Sequence, residues 1–348
     1  MGAAHASTAR RIDCAGDYLL PGLIELHTDN LERHLEPRPG TFWDVDLAVL
    51  SHDAELAACG ITCAFDAVTL GGAVDSSVRQ RVHLSAISSI EAAHAAGLLR
   101  IHHELHLRCE LSSPDLPEQL ERAAAMRVPR LISLMDHTPG QGQWHDIAKF
   151  REYYTRRYGL SEAQLNELIV RRQAAHERYA EANRSTVLSF AKHYDCVVAG
   201  HDAADAQDVA TLSTVGCAIA EFPVSIAAAR AARDKKLKIV AGAPNLVRGS
   251  SHSGNVSARE LAGERLIDIL SSDYCPSSLL HGVWTLVSGC GVSLTDAVHC
   301  GSTTAALTVG LSDRGSLSEG MRADLIRVRT TARGPVVVAA WCSGRQVS

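Results

Sequence analysis

Histidines and carboxylates follow short apolar segments at five places in this chain of 348 residues. Imidazole nitrogens and carboxylate oxygens are ligands that zinc, manganese and magnesium take in proteins. Six such side chains are enough to hold two divalent cations, with one carboxylate bridging them. The candidate metal ligands are His27, Asp29, Glu110, His137, His201 and Asp273.

The stretch LPGLIELHTDN (20–30) shows the pattern most clearly. His27 and Asp29 lie two positions apart at the end of an apolar strand, and alternate residues of a strand point the same way. Both side chains can therefore reach one site. Many metal hydrolases end such a strand with two histidines. Asp29 therefore leaves open a working metal site, a damaged one or a different chemistry.

Any one of these side chains could instead cap a helix or satisfy a loop. That simpler interpretation must account for five coincidences at five strand ends, so the sequence favours a shared metal site. Most histidines inside helical or strand segments are expected to pack rather than to bind metal. The histidines inside such segments are His52, His83, His94, His102, His103, His106, His176 and His193.

Short apolar segments alternate with helical patterns along most of the chain. Helical spacing covers residues 46–60 and the longer, charged stretch 161–194. Eight strands alternating with helices predict an α/β fold, a (β/α)₈ TIM barrel whose active site lies at the carboxyl ends of the strands. The predicted strands are 18–26, 61–68, 99–109, 130–136, 196–200, 217–222, 237–242 and 265–272.

The two ends of the chain differ from the barrel, which we assign to residues 18–310. Residues 311–348 contain two predicted strands joined by Arg333-Gly334-Pro335. Two strands are marginally stable alone, so they are expected to join a small β domain outside the barrel. Residues 1–17 are too few to complete that domain, which we therefore expect to be truncated at its N-terminal side.

Composition limits the classes of function. The net charge of −5 argues against broad nucleic-acid binding. No run of 18 apolar residues predicts a membrane span, and the N-terminus has no apolar signal segment. The ten cysteines form no C-x-x-C pair, which indicates reduced thiols and a cytoplasmic protein. A small-molecule partner is expected, and a homo-oligomer is left open.

Several segments resemble known metal hydrolases. PGLIELHTDN is similar to the Pro-Gly-Phe-Ile-Asp-x-His-x-His strand of the amidohydrolase superfamily. Longer segments resemble one family within it, the M proteins of phosphonate metabolism, in order from residue 18 to about 345. The most specific of these segments are SLMDHTPGQGQW (133–144), GAPNLVRGSSHSGNV (242–256) and DILSSDYCPSSLL (268–280).

The resemblance implies a set of roles. Two divalent metal ions, zinc or manganese, would be held by His27, Asp29, His137, His201 and Asp273, with Glu110 as the bridging carboxylate. Asp29 would then be a normal ligand of this family. The implied reaction, in phosphonate catabolism through the carbon–phosphorus lyase pathway, is hydrolysis of α-D-ribose 1-methylphosphonate 5-triphosphate. The implied products are diphosphate and ribose 1-methylphosphonate 5-phosphate, with Asp273 as the catalytic base.

A phosphorylated sugar needs cationic and hydroxyl partners. Two polar segments could supply them, one after a glycine-rich turn and one after the seventh predicted strand. The candidate substrate-binding residues are Lys149 and Arg151 in the first segment, which also carries the candidate cations Arg156 and Arg157. In the second segment they are Asn245, Arg248, Ser251, His252 and Asn255.

Two alternatives share parts of this pattern. An amidohydrolase that opens a cyclic amide or deaminates a nucleobase-like substrate would use the same fold and metals. The basic and hydroxyl residues suited to several phosphates argue against it. A non-enzymatic scaffold is the second alternative, and the ligands at the strand ends argue against that one.

Overall fold

A computed structural model describes residues 11–71, 78–251 and 254–348 of the chain. His252 lies outside the described residues. The strands are β1 (Tyr18–Pro21), β2 (Leu23–Thr28), β3 (Ile61–Leu70), β4 (His102–Glu110), β5 (Leu131–Met135), β6 (Val197–His201), β7 (Ile219–Glu221), β8 (Lys238–Gly242), β9 (Ile269–Ser271), β10 (Leu325–Thr331), β11 (Gly334–Cys342) and β12 (Arg345–Gln346).

Strands β2 to β9 form a parallel sheet in sequence order. A parallel bridge between Thr28 and Asp273 connects its first strand to the residues that follow its last strand, which closes the barrel. The Thr28 hydroxyl also donates to the Asp273 carbonyl oxygen at 3.1 Å. The predicted (β/α)₈ barrel is therefore confirmed.

Helices follow most barrel strands, as the sequence predicted. The helix over 161–194 begins at a capping box in which Ser161 and Gln164 exchange hydrogen bonds. The helices are α1 (Leu31–Leu35), α2 (Val45–Ala58), α3 (Val78–Ala95), α4 (Leu116–Met126), α5 (Ile147–Tyr158), α6 (Glu162–His193), α7 (Ala206–Thr214), α8 (Ile226–Asp234), α9 (Ala243–Arg248), α10 (Ala258–Gly263), α11 (Ser278–Cys290), α12 (Leu294–Cys300) and α13 (Thr303–Thr308). Within the described ranges, no helix has the length and apolar character needed to span a membrane.

The barrel has two apolar layers. Inward-facing side chains such as Ile24, Phe65 and Val240 fill the lumen, and α13 contributes Ala305 and Ala306 to the same cluster. A second, larger cluster lies between the outer face of the sheet and the surrounding helices. A packed lumen leaves the carboxyl ends of the strands as the place for a cavity.

The predicted strand 18–26 is divided between two sheets. Its first part, β1, pairs antiparallel with β10 in a small sheet of order β1-β10-β11-β12. Its second part, β2, belongs to the barrel. Gly22 lies at the junction, where an added Cβ would come within 2.1 Å of the Thr62 hydroxyl oxygen, so only glycine fits this close approach. Residues 18–26 form one continuous apolar segment, so the sequence pattern did not indicate that the strand is divided.

Buried ionisable side chains connect α2 with β3 and β4. Asp66 accepts from His52 at 2.9 Å and from His103 at 2.8 Å. His103 lies 3.3 Å from Asp53, which also accepts from the backbone amides of residues 100 and 101. Burial alone would lower the pKa of His103, but the charge of Asp66 and the hydrogen bonds to both aspartates raise that pKa to about 9.

This network predicts a loss of stability at alkaline pH. The pKa of His103 is about 9 in the fold and 6.5 when unperturbed. Its stabilising contribution is therefore full below the unperturbed value and disappears as the pH rises through about 9. We expect the urea midpoint of wild type, measured in a chelating buffer, to fall between about pH 7 and pH 9.5.

His103→Gln is expected to have a lower midpoint that changes less over the same pH range. His94→Gln, at an exposed position on α3, serves as the matched control and should follow wild type. If the urea midpoints of wild type and His103→Gln fell equally with rising pH, a group other than His103 would be responsible for the loss of stability.

Candidate active site

All six predicted metal ligands line one cavity at the carboxyl end of the barrel. Its volume is about 1560 Å³, which exceeds that of a typical ligand pocket. Each ligand lies at or just after the end of a strand because parallel strands present their carboxyl ends to the same opening. His27 comes from β2, Glu110 from β4 and His201 from β6; Asp29, His137 and Asp273 follow β2, β5 and β9.

Two of the histidines share a buried carboxylate. Glu221, the last residue of β7, accepts from Nδ1 of His27 at 2.8 Å and from Nδ1 of His201 at 2.7 Å. The two rings stack with centroids 5.4 Å apart. Because the carboxylate accepts at Nδ1, the Nε2 atom of each neutral ring carries the lone pair that can bind a metal.

The charge of Glu221 is maintained by its neighbours. Burial would raise the pKa of this carboxyl, but the neighbouring imidazoles of His27 and His106 and the hydrogen bonds from His201 and His27 hold that pKa well below its usual range. The Ser133 hydroxyl donates a further hydrogen bond at 2.7 Å. Glu221 therefore acts as an anionic support behind both imidazole rings.

A second carboxylate supports His137. Glu110 accepts from Nδ1 of His137 at 2.7 Å and from its backbone amide at 3.2 Å. The His137 and His201 rings lie 6.0 Å apart, and donor atoms of His137, His201 and Asp202 all lie within 4.8 Å of one another. This nitrogen and oxygen set has the spacing of a metal site.

Negative charge is concentrated on the other side of the site. Burial, and next the charge of Asp29, raise the pKa of the Asp273 carboxyl well above its usual range. Arg108 donates to Asp29 at 3.3 Å and offsets part of this repulsion. Buried carboxylates next to histidine nitrogens fit a divalent cation, because bound cations relieve such repulsion and stabilise the ionised carboxylates.

Three residues at these strand ends have left-handed backbone conformations. Asp202, Phe222 and Asp273 follow β6, β7 and β9 with φ values of 56°, 53° and 53°. Such conformations cost energy for residues other than glycine and are concentrated at functional sites. Here they turn the chain sharply at the cavity, where Asp202 and Asp273 present their carboxylates.

The predicted substrate-binding residues separate into two groups. Asn245, Arg248, Ser251 and Asn255 line the cavity. Lys149 and Arg151 are absent from the described lining. Lys149 donates to the carbonyl oxygen of Gly254 at 3.0 Å, and Arg151 donates to the Asn166 side chain at 2.5 Å. The glycine-rich segment thus reaches the cavity through other residues.

Sequence reasoning missed Glu221, and it assigned no role to Arg108 and Asp202 at the ends of their strands. A charged residue ending the apolar segment CAIAEF was the available signal for Glu221, because the carboxyl ends of all barrel strands meet at one opening. Arg108 and Asp202 adjoin predicted strand-end residues, and their contacts depend on distant parts of the chain.

A known enzyme is similar to this chain over nearly its whole length. No family model matches the chain. The chain is 39% identical over 338 residues to the α-D-ribose 1-methylphosphonate 5-triphosphate diphosphatase of Escherichia coli. This alignment covers 97% of the chain and 89% of the relative.

Solved structures with low sequence identity share the fold. The structure of a 5-methylcytosine deaminase from Klebsiella pneumoniae matches with a TM-score of 0.61 at 14% identity. This match covers 100% of the present chain and 91% of the deaminase. The structure of an amidohydrolase matches with a TM-score of 0.60 at 14% identity. This match covers 99% of the present chain and 89% of the amidohydrolase. The resemblance inferred from the sequence is thereby confirmed. The chain has the amidohydrolase fold and belongs to the family of α-D-ribose 1-methylphosphonate 5-triphosphate diphosphatases.

Proposed function

We propose that this chain hydrolyses the 5-triphosphate of α-D-ribose 1-methylphosphonate 5-triphosphate, releasing diphosphate and ribose 1-methylphosphonate 5-phosphate. The observation that carries the proposal is the set of histidines and carboxylates at the floor of a large cavity, in a chain similar over nearly its whole length to such a diphosphatase. The reaction would take place in the cytoplasm as part of phosphonate catabolism.

The proposed metal ligands are His27, Asp29, His137, His201 and Asp273, with Glu110 as the carboxylate between two sites. Imidazole favours zinc, and the added carboxylates suit manganese as well. When bound, such ions lower the pKa of water and neutralise charge on phosphate oxygens. Glu221 would orient the rings of His27 and His201 for this role.

Asp273 is the proposed base. In the hydrolysis, the oxygen of one water forms a bond to the α-phosphorus, and the bond from that phosphorus to the diphosphate oxygen breaks. The electron pair of the broken bond leaves with the diphosphate. Asp273, which follows β9 and lines the cavity, would accept a proton from the attacking water.

The side chain of Asn245, in α9, bonds to the backbone near the start of α10. Its side-chain oxygen accepts from the amide of Ala258 at 2.9 Å, and its amide group donates to the carbonyl oxygen of Val256 at 3.4 Å. These two bonds connect Val256 and Ala258 to α9, which ends at Arg248. We assign Arg248 and Ser251 to binding of the phosphorylated sugar.

Product identification tests the proposed function. The purified protein, supplied with zinc or manganese, is incubated with the methylphosphonate ribose triphosphate, and phosphorus NMR follows the products. We expect equal amounts of diphosphate and the 5-phosphate from the first turnovers. Stepwise release of orthophosphate, or ammonia release from nucleobases with an inert triphosphate, would contradict the proposal.

A further inference from the structure

The cavity has an uneven distribution of charge. Its floor carries the carboxylates of Asp29, Glu110, Asp202 and Asp273. The wall formed by α5 and α6 presents guanidinium groups instead. We call these residues the arginine wall: Arg156, Arg157, Arg171 and Arg172.

The arginine wall stands on its own small core. Trp144, Phe150, Tyr154 and Leu165 pack in a cluster separate from the two barrel layers. The Arg172 guanidinium lies 5.1 Å from the Tyr154 ring centroid and 5.6 Å from that of Phe150. Cation–π contacts of this kind hold a guanidinium in place, so the side chain loses less conformational entropy when a ligand binds.

The wall is also fixed to the loop that carries a proposed metal ligand. Arg172 donates to the carbonyl oxygen of His137 at 3.4 Å, and Gln173 donates to that of Pro139 at 3.2 Å. His176 lies 2.5 Å from the Asp136 carboxylate. Helix α6 therefore sets the distance between the arginine wall and the cavity floor.

Two members of the wall remain available for a ligand. Arg156 and Arg171 are exposed and line the cavity. In the part of the chain that the structure describes, neither forms an ion pair or a side-chain hydrogen bond. By contrast, Arg184 further along α6 pairs with Glu181 at 2.7 Å. Unpaired guanidinium groups that line a cavity are suited to bidentate binding of phosphate oxygens.

We propose that Arg156 and Arg171 bind the β- and γ-phosphates of the substrate, which become the leaving diphosphate. This inference rests on the proposed function and adds a binding subsite to it. When the bond from the α-phosphorus breaks, negative charge accumulates on the diphosphate. Cations held at that position stabilise the transition state more than the ground state, so the wall contributes to turnover as well as to binding.

A double variant, Arg156→Ala with Arg171→Ala, tests the inference. Binding of inorganic pyrophosphate and of methylphosphonate to the metal-loaded protein is measured by calorimetry, and kcat/KM is measured with the triphosphate. We expect pyrophosphate affinity to fall at least about tenfold and kcat/KM to fall further, with methylphosphonate affinity and metal content unchanged. Arg178→Ala, an exposed position on α6 outside the cavity lining, is the matched control and should behave as wild type.

A second double variant separates the effect of positive charge from the effect of guanidinium geometry. Arg156→Lys with Arg171→Lys keeps both charges but removes bidentate geometry, so intermediate affinity is expected. Pyrophosphate affinity of the alanine variant equal to wild type, or a loss confined to methylphosphonate, would overturn the inference. If wild type releases no diphosphate while the variant still loses pyrophosphate affinity, the proposed function fails and the anion subsite remains.

Discussion

Asp273→Asn is expected to lower kcat for diphosphate release by about a thousandfold or more. The amide has nearly the same shape but accepts no proton from water, and it removes one of the negative charges that face the proposed cations. The proposed cations would stabilise the ionised carboxylate, which is the form that accepts a proton from water.

The measurement combines single-turnover kinetics with metal analysis and thermal unfolding. We expect a cooperative unfolding transition near that of wild type, because the replacement is isosteric and relieves carboxylate repulsion. Asp234→Asn, at an exposed position at the end of α8, is the matched control and should retain full activity. Normal diphosphate release by Asp273→Asn would remove Asp273 from the chemical step.

Glu221→Gln is expected to weaken metal affinity by about 10- to 100-fold, with a similar loss of activity at limiting metal. The carboxylate accepts from His27, His201 and Ser133 at the same time. A glutamine has only one acceptor oxygen, and its amide group would face a donor. At least one imidazole would then lose the hydrogen bond that fixes its tautomer and orientation.

Competition with a chromophoric chelator measures this loss directly. Excess zinc or manganese should restore part of the activity of Glu221→Gln, because Glu221 acts through the histidines and not on the substrate. Glu319→Gln, on the exposed surface, is the control. Unchanged metal affinity together with lost activity would indicate that Glu221 has a direct part in catalysis.

The sequence predicted those parts of the site that depend on local pattern. His27 and Asp29 were found because strand alternation and the end of an apolar segment are both visible within a few residues. The barrel prediction then brought Glu110, His137, His201 and Asp273 to the same opening, and the structure places all of them around one cavity.

Features that depend on contacts between residues far apart in the sequence were not predicted. The role of Glu221 depends on His27, which is 194 residues earlier in the chain. The division of the apolar segment 18–26 depends on pairing with β10 near the C-terminus. Arg156 and Arg157 were candidate cations in the sequence, but the presence of Arg171 and Arg172 beside them required the packing of α5 against α6.

The barrel is closed by a contact between residues near the two ends of the sheet. Thr28 and Asp273, whose hydrogen bond spans 245 positions of the chain, meet where the first and last strands join. A nascent or proteolytically shortened chain that lacks β9 therefore also lacks the proposed base. We therefore expect activity only from a chain whose barrel has closed.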